Sequence, residues 1–113
     1  VSEAGKARPA APQMLVEHVE RFNQGVRSGD FGPMIAAFAG DAALVFEGIP
    51  VGPLAGRDAI AEAYRARPPD DEIVLLDGDG TYAWASMPDV PAGQMFLTER
   101  DREITRLVIR YDR

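Results

Sequence analysis

One carboxylate stands where acid–base chemistry would need it. Glu47 closes the alternating run 43–47, just before a loop punctuated by Gly48, Pro50, Gly52 and Pro53. A carboxylate at the end of an apolar strand loses solvation, and lost solvation raises its pKa toward neutrality, where it becomes a useful base. The bland alternative is a carboxylate that reaches solvent or pairs with an arginine such as Arg57. The single histidine, His18, sits on the apolar face of a helical repeat, one turn before Phe22. It is either a partly buried, hydrogen-bonded imidazole or a cavity-lining one that titrates near neutral pH. Cysteine is absent, so thiol nucleophiles and disulfides are excluded. With one histidine and no cysteine the usual zinc sites are not expected, and no metal or cofactor is called for. The acidic run Asp77-Gly78-Asp79-Gly80 is no calcium loop, because Pro88 stands where such a loop needs a glutamate.

The elements that must position these groups are legible from periodicity. Leu15, Val19, Phe22 and Val26 recur at helical spacing within 14–27. Phe31, Met34, Ile35 and Phe38 do so in a second helix, with Asp30 as its N-cap, Pro33 in its first turn and Gly40 at its end. In residues 43–47, Val45 and Glu47 fall on one side and Leu44 and Phe46 on the other. A third helix opens at Gly56-Arg57-Asp58, carries Ile60, Ala63 and Tyr64 on one face, and stops at Pro68-Pro69. Strands follow over 73–76, 81–87, 94–99 and 104–111. Asp-Gly steps turn the chain between the first two, and Arg100-Asp101-Arg102 makes a polar turn before the last. Helices first and strands afterwards predict an α+β domain with the helices on one face of a mainly antiparallel sheet. Residues 1–13 are rich in Ala and Pro without periodicity and read as an N-terminal tail; residues 14–113 read as one domain.

The stretch 38–64 resembles the nuclear transport factor 2-like superfamily, which includes ketosteroid isomerases and the polyketide-cyclase-like, SnoaL-like branch. The resemblance lies in Gly40-Asp41-Ala42, Leu44-Val45-Phe46, Glu47, the Pro/Gly loop, and Gly56-Arg57-Asp58-Ala59-Ile60, with Ser28-Gly29-Asp30 and Arg102-Glu103-Ile104-Thr105-Arg106 at either end. It implies a cystatin-like curved antiparallel sheet with three N-terminal helices on its concave face. The shape it implies is a cone that opens into an apolar pocket, with the outer sheet face commonly a dimer contact. That fold hosts many chemistries, so the likeness speaks to architecture more than to activity.

The resemblance also implies site residues. Isomerases of this family use one carboxylate base with a tyrosine and a protonated aspartic acid as oxyanion donors, the pKa-tuning case that serves as a general example. The base position, nine residues before Gly56, falls on Glu47. The tyrosine position, eight residues before Asp30, falls on Phe22, which has no hydroxyl. The acid position, two residues before Phe96, falls on Gln94. Losing an oxyanion donor costs on the order of 10²–10³ in rate, so efficient ketosteroid isomerisation is not expected. Tyr111 would lie on the pocket-lining strand face and could supply a hydroxyl, with His18 on the helix. Tyr64, Tyr82, Trp84, Phe96, Leu107 and Ile109 would form apolar walls or simply core.

Two functions remain open on this reading. One is a cofactor-independent isomerase, cyclase or dehydratase that uses Glu47 on an apolar, carbonyl-bearing ligand. The other is a non-catalytic ligand-binding or dimerisation domain. The chain has 113 residues, room for a single core, and 46% hydrophobic residues, which favours a folded globule. A net charge of −6 opposes nucleic-acid backbones. No apolar run approaches the roughly 20 residues that span a bilayer. The first residues lack the apolar core of a signal peptide, so a cytoplasmic location is the expectation. A homodimer is expected through the outer sheet face, where Val108 sits between Arg106 and Arg110 beside strands bearing Met95 and Leu97.

Overall fold

The computed structural model describes residues 7–111, which form three helices and one seven-stranded sheet. Helix α1 (Pro12–Ser28) is defined by its ends and its stripe. Pro12 occupies the first turn, where a missing amide costs no hydrogen bond. Gly29 closes the helix in the left-handed conformation (φ 81°), its N–H donating to the Gly25 carbonyl at 2.8 Å. His18, Val19 and Phe22 are buried between these ends. The helix begins two residues ahead of the expected start. Part of the expected tail is also sheet: β1 (Arg8–Pro9) lies antiparallel to β6 (Gly93–Arg100), and Arg8 Nε donates to Glu99 Oε1 at 2.6 Å. The rest of that tail, residues 1–6, lies outside the described residues.

The second helix is shorter than its apolar spacing suggests. Helix α2 (Gly32–Ala36) ends before Phe38, and Phe38 starts β2 (Phe38–Glu47). Gly40 therefore does not end a helix. It lies inside β2, in the stretch between Phe38 and Ala43 where the register shifts. Glycine suits an irregular strand as well as a helix end, and Phe38 is fully buried in this arrangement too, so the pattern did not separate them. Asp30 still acts near the start of α2, its Oδ1 accepting the Gly32 N–H at 2.8 Å.

The remaining elements are β3 (Leu54–Ala55), α3 (Arg57–Ala66), β4 (Ile73–Leu75), β5 (Thr81–Trp84), β6 and β7 (Glu103–Tyr111). The strand order is β3-β2-β7-β6-β5-β4, with β1 added to β6. All pairs are antiparallel except β2 with β7, which is parallel, so the sheet is mixed rather than antiparallel. Parallel neighbours need a long crossover, and residues 48–102 supply it. Helices α2 and α3 pack on β2, and α1 packs on β4. Leu44 opposes Leu107 across the β2–β7 ladder, both wholly buried together with Met34, Phe38, Ile60 and Ile104. Each such leucine contributes about 1.5–3 kcal/mol by leaving water. No helix among the described residues is long and apolar enough to cross a membrane.

The β6–β7 hairpin turns on Asp101 and Arg102, between the paired Arg100 and Glu103. Both turn residues have positive φ, 51° and 68°, as a type I′ turn requires and as residues with a Cβ disfavour. Replacing the pair with Asn-Gly relieves that strain while keeping the Arg102 backbone N–H that donates to Glu99 Oε2 at 2.9 Å. The double variant should gain about 1 kcal/mol, seen as a rise of roughly 4–8 °C in Tm by calorimetry.

Candidate functional site

The sheet face beneath α1 and α3 encloses a cavity of about 300 Å³. Period-two alternation decides what reaches it. From β2 it receives Phe46, from β6 Met95, and from β7 Ile109 and Tyr111. Tyr82 and Trp84 point in from β5, their rings edge to face at 5.8 Å. Helix α1 supplies His18 and Phe22, one turn apart, and α3 supplies Ala63 and Tyr64. The Phe22 and Tyr64 rings meet edge-on at 6.5 Å. Val51 and Leu54 come from the Pro/Gly loop and β3, and Arg67 and Pro69 from the chain after α3. A second recess, beside Asp30, Arg57 and Arg65, measures about 480 Å³, but no buried unpaired polar atom lines it.

The cavity's polar groups are uncharged apart from Arg67. His18 is 2% exposed and meets the Phe38 ring edge-on at 5.9 Å. Its Nδ1 is buried with no hydrogen-bond partner among the described residues. Burial, helped by the nearby positive charge of Arg21, lowers its pKa from 6.5 to about 4, so the imidazole is neutral at pH 7. Burial, with Tyr111 close by, pushes the Tyr64 hydroxyl above its ordinary pKa, and burial does the same to Tyr111. These groups can donate or accept hydrogen bonds to a neutral guest. Among the described residues, no three His, Asp or Glu side chains are placed to share a metal ion.

No protein-family model matches the chain, and no curated protein does. Solved structures do. A nuclear transport factor 2-like protein of unknown function from Cytophaga hutchinsonii superposes with a TM-score of 0.64 at 12% identity, over 93% of this chain and 92% of that one. The chain has the nuclear transport factor 2-like fold. A protein from Sphaerobacter thermophilus superposes with a TM-score of 0.60 at 24% identity, over 92% and 97% of the two chains. Another, from Kribbella flavida and provisionally named a ketosteroid isomerase, gives 0.61 at 14% identity over 89% and 79%. At these identities the likeness concerns the fold.

Within this nuclear transport factor 2-like architecture the expected site residues separate into two groups. His18, Phe22, Tyr64, Tyr82, Trp84, Ile109 and Tyr111 line the cavity together. Leu107 is wholly buried in the core and does not line it. Glu47, Gln94 and Phe96 do not line it either. Glu47 shares its face with Val45, opposite to Leu44 and Phe46, and its Oε1 accepts a hydrogen bond from Arg110 Nε at 2.9 Å. The arginine partner is thus Arg110, while Arg57 donates to the Phe38 carbonyl at 3.2 Å.

Strand β6 is reversed relative to expectation. Met95 and Leu97 are buried, whereas Phe96 is 40% exposed beneath the Arg110 guanidinium, 5.0 Å from its ring centre. Gln94, Met95, Phe96 and Leu97 place apolar side chains on both faces, so alternation alone did not choose between them. Parity did carry a usable signal for one residue that was overlooked, since Phe46 shares a face with Leu44. Arg67 carried none, because nothing in a helix-ending Arg-Pro-Pro points to a cavity.

The buried imidazole makes stability depend on pH. The folded pKa of His18 is depressed, so the unfolded chain takes up the proton first. Its contribution is complete above about pH 6.5 and is lost as pH falls toward about 4. Over that window the loss is on the order of 3 kcal/mol. Urea unfolding at stepped pH should show this slope, and a His18→Gln variant should lack it. NMR of the sole histidine should report a neutral ring at pH 5.5.

Proposed function

We propose that the chain binds a small, largely apolar molecule in the cavity beneath α1 and α3, with one oxygen of that molecule hydrogen-bonded to His18. The observation that carries this reading is a mostly apolar cavity lined by the buried His18, whose Nδ1 has no hydrogen-bond partner among the described residues. A buried polar atom without a partner costs about 1–3 kcal/mol, and a ligand hydroxyl or carbonyl would recover it. The volume, about 300 Å³, lies at the small end of those typical of ligand sites.

Isomerase- or cyclase-type proton transfer is the second reading, favoured by an imidazole that stays unprotonated beside tyrosine hydroxyls. It would rest on His18 as the base and not on Glu47, which is engaged by Arg110 outside the cavity. With a pKa near 4 such a base has little proton affinity, so binding is the stronger reading.

Titration with the neutral fluorophore N-phenyl-1-naphthylamine tests the proposal. Its emission should rise, and Trp84, the single tryptophan, should be quenched. Ala63→Met, which fills the cavity, should weaken binding by about tenfold, and Glu47→Gln should leave it unchanged. A folded protein that gives no enhancement would sink the reading.

We also propose that two copies of the chain meet through the outer sheet face, where Val45, Phe96 and Val108 lie among Arg106, Arg110 and Glu47. An exposed Phe96 in such company favours a partner surface. Light scattering at micromolar concentration should give twice the chain mass, and Phe96→Glu should return the mass of one chain.

A further inference from the structure

The rim of the cavity holds a cation that no other described residue engages. Arg67 follows the last residue of α3, is exposed, and lines the cavity beside Tyr64 and Pro69. Among the described residues its side chain has no ion pair or hydrogen bond. Its neighbour Arg65 is paired with Glu62, while Arg27 holds Glu72 and Arg110 holds Glu47. Among the described residues other arginines also lack ion pairs, but Arg67 is the arginine that lines the cavity.

The local sequence holds it there. Pro68 disfavours helical geometry in the residue before it, and Arg67 duly leaves the helix at φ −140°, ψ 76°. Its N–H still donates to the Ala63 carbonyl at 3.0 Å, which ties it to the last turn. Pro69 then returns to the cavity wall. Backbone geometry therefore holds this residue at the edge of the cavity, next to a wall with no other charged side chain.

We propose that the ligand of this cavity is an apolar molecule with a carboxylate head, the head paired with Arg67 at the rim and the body lying against the aromatic wall. This rests on the reading of the cavity as a binding site. A guanidinium presents two parallel N–H groups that match the two oxygens of one carboxylate. A phosphate monoester brings more charge than one arginine neutralises, and the chain's net charge of −6 disfavours it further. His18 remains free to meet a hydroxyl or carbonyl on the body.

Displacement of bound N-phenyl-1-naphthylamine by dodecanoate, methyl dodecanoate and dodecyl phosphate tests the assignment. Dodecanoate should displace the probe at a concentration about tenfold lower than its methyl ester. Arg67→Gln should bring that ratio close to one, and Arg67→Lys should retain part of it. Equal potency of acid and ester, or a ratio that Arg67→Gln leaves intact, overturns the proposal. Dodecyl phosphate displacing better than dodecanoate overturns the choice of carboxylate. Failure of the probe itself to bind overturns the cavity reading instead, which separates the two failures.

Discussion

Leu44 against Leu107 is the contact on which the two faces of this sheet depend. Both side chains are completely buried, and they sit opposite one another in the parallel β2–β7 ladder. Because side chains alternate along a strand, fixing that pair fixes the facing of the continuous ladder from Ala43 opposite Arg106 to Glu47 opposite Arg110. Phe46, Ile109 and Tyr111 turn toward the helices, while Val45, Glu47, Val108 and Arg110 turn away. A slip of one residue would drive Glu47 and Arg110 into the apolar side, and the cost of burying charges forbids it. The register also sets Glu47 directly opposite Arg110, so the ion pair at 2.9 Å is a consequence of the leucine pair. Both partners are about half exposed, so the pair itself contributes little to stability.

Strand β6 extends this division and tightens it. Gly93 opposes Tyr111, and a methyl group at that position would overlap the Arg110 carbonyl oxygen. Glycine is thus required for β6 to approach the end of β7, the very end that carries Tyr111 into the cavity. On the outer side, Phe96 lies under the Arg110 guanidinium, completing a row of Glu47, Arg110 and Phe96 across three strands. Charge is gathered on that outer face. The cavity wall, apart from Arg67, keeps groups that hydrogen-bond without ionising.

The fold was legible because its signals are local. The Leu15, Val19 and Phe22 spacing, the Gly56 start of α3 and the alternation of Thr105, Leu107, Ile109 and Tyr111 each report on a few neighbours in sequence. The parallel pairing of β2 with β7 joins residues some sixty apart, and nothing in either segment encodes its direction. The cavity was legible where aromatic residues alternate on a strand, as with Tyr82 and Trp84. It was misread where a family position was carried over by counting. Counting to Glu47 gives a place along the strand but not a side. The alternation of Leu44 and Phe46 against Val45 and Glu47 already held that side, and parity outweighs position when one face is buried. At β6 parity was silent, because Met95, Phe96 and Leu97 are all apolar. The final choice there came from Gly93, Met95 and Leu97 fitting against β7 and the helices.

The separation of faces also bears on what chemistry the cavity can host. A general base for carbon acids needs both proximity to the ligand and a proton affinity suited to the working pH. Glu47 is a carboxylate without the proximity, and His18 has the proximity with its basicity suppressed by burial. Raising His18 toward neutrality would take an acidic neighbour to stabilise the imidazolium, and no carboxylate lines the cavity. Arg21 acts in the opposite direction. The same features that leave the cavity without a tuned base suit the receptor role proposed for it. Its neutral donors and acceptors keep their protonation state across the physiological range, so affinity for a hydroxyl or carbonyl would not drift with pH. The arginine at the mouth stays charged under all such conditions. Recognition would then rest on shape, one buried hydrogen bond and one fixed charge, none of which requires the ligand to react.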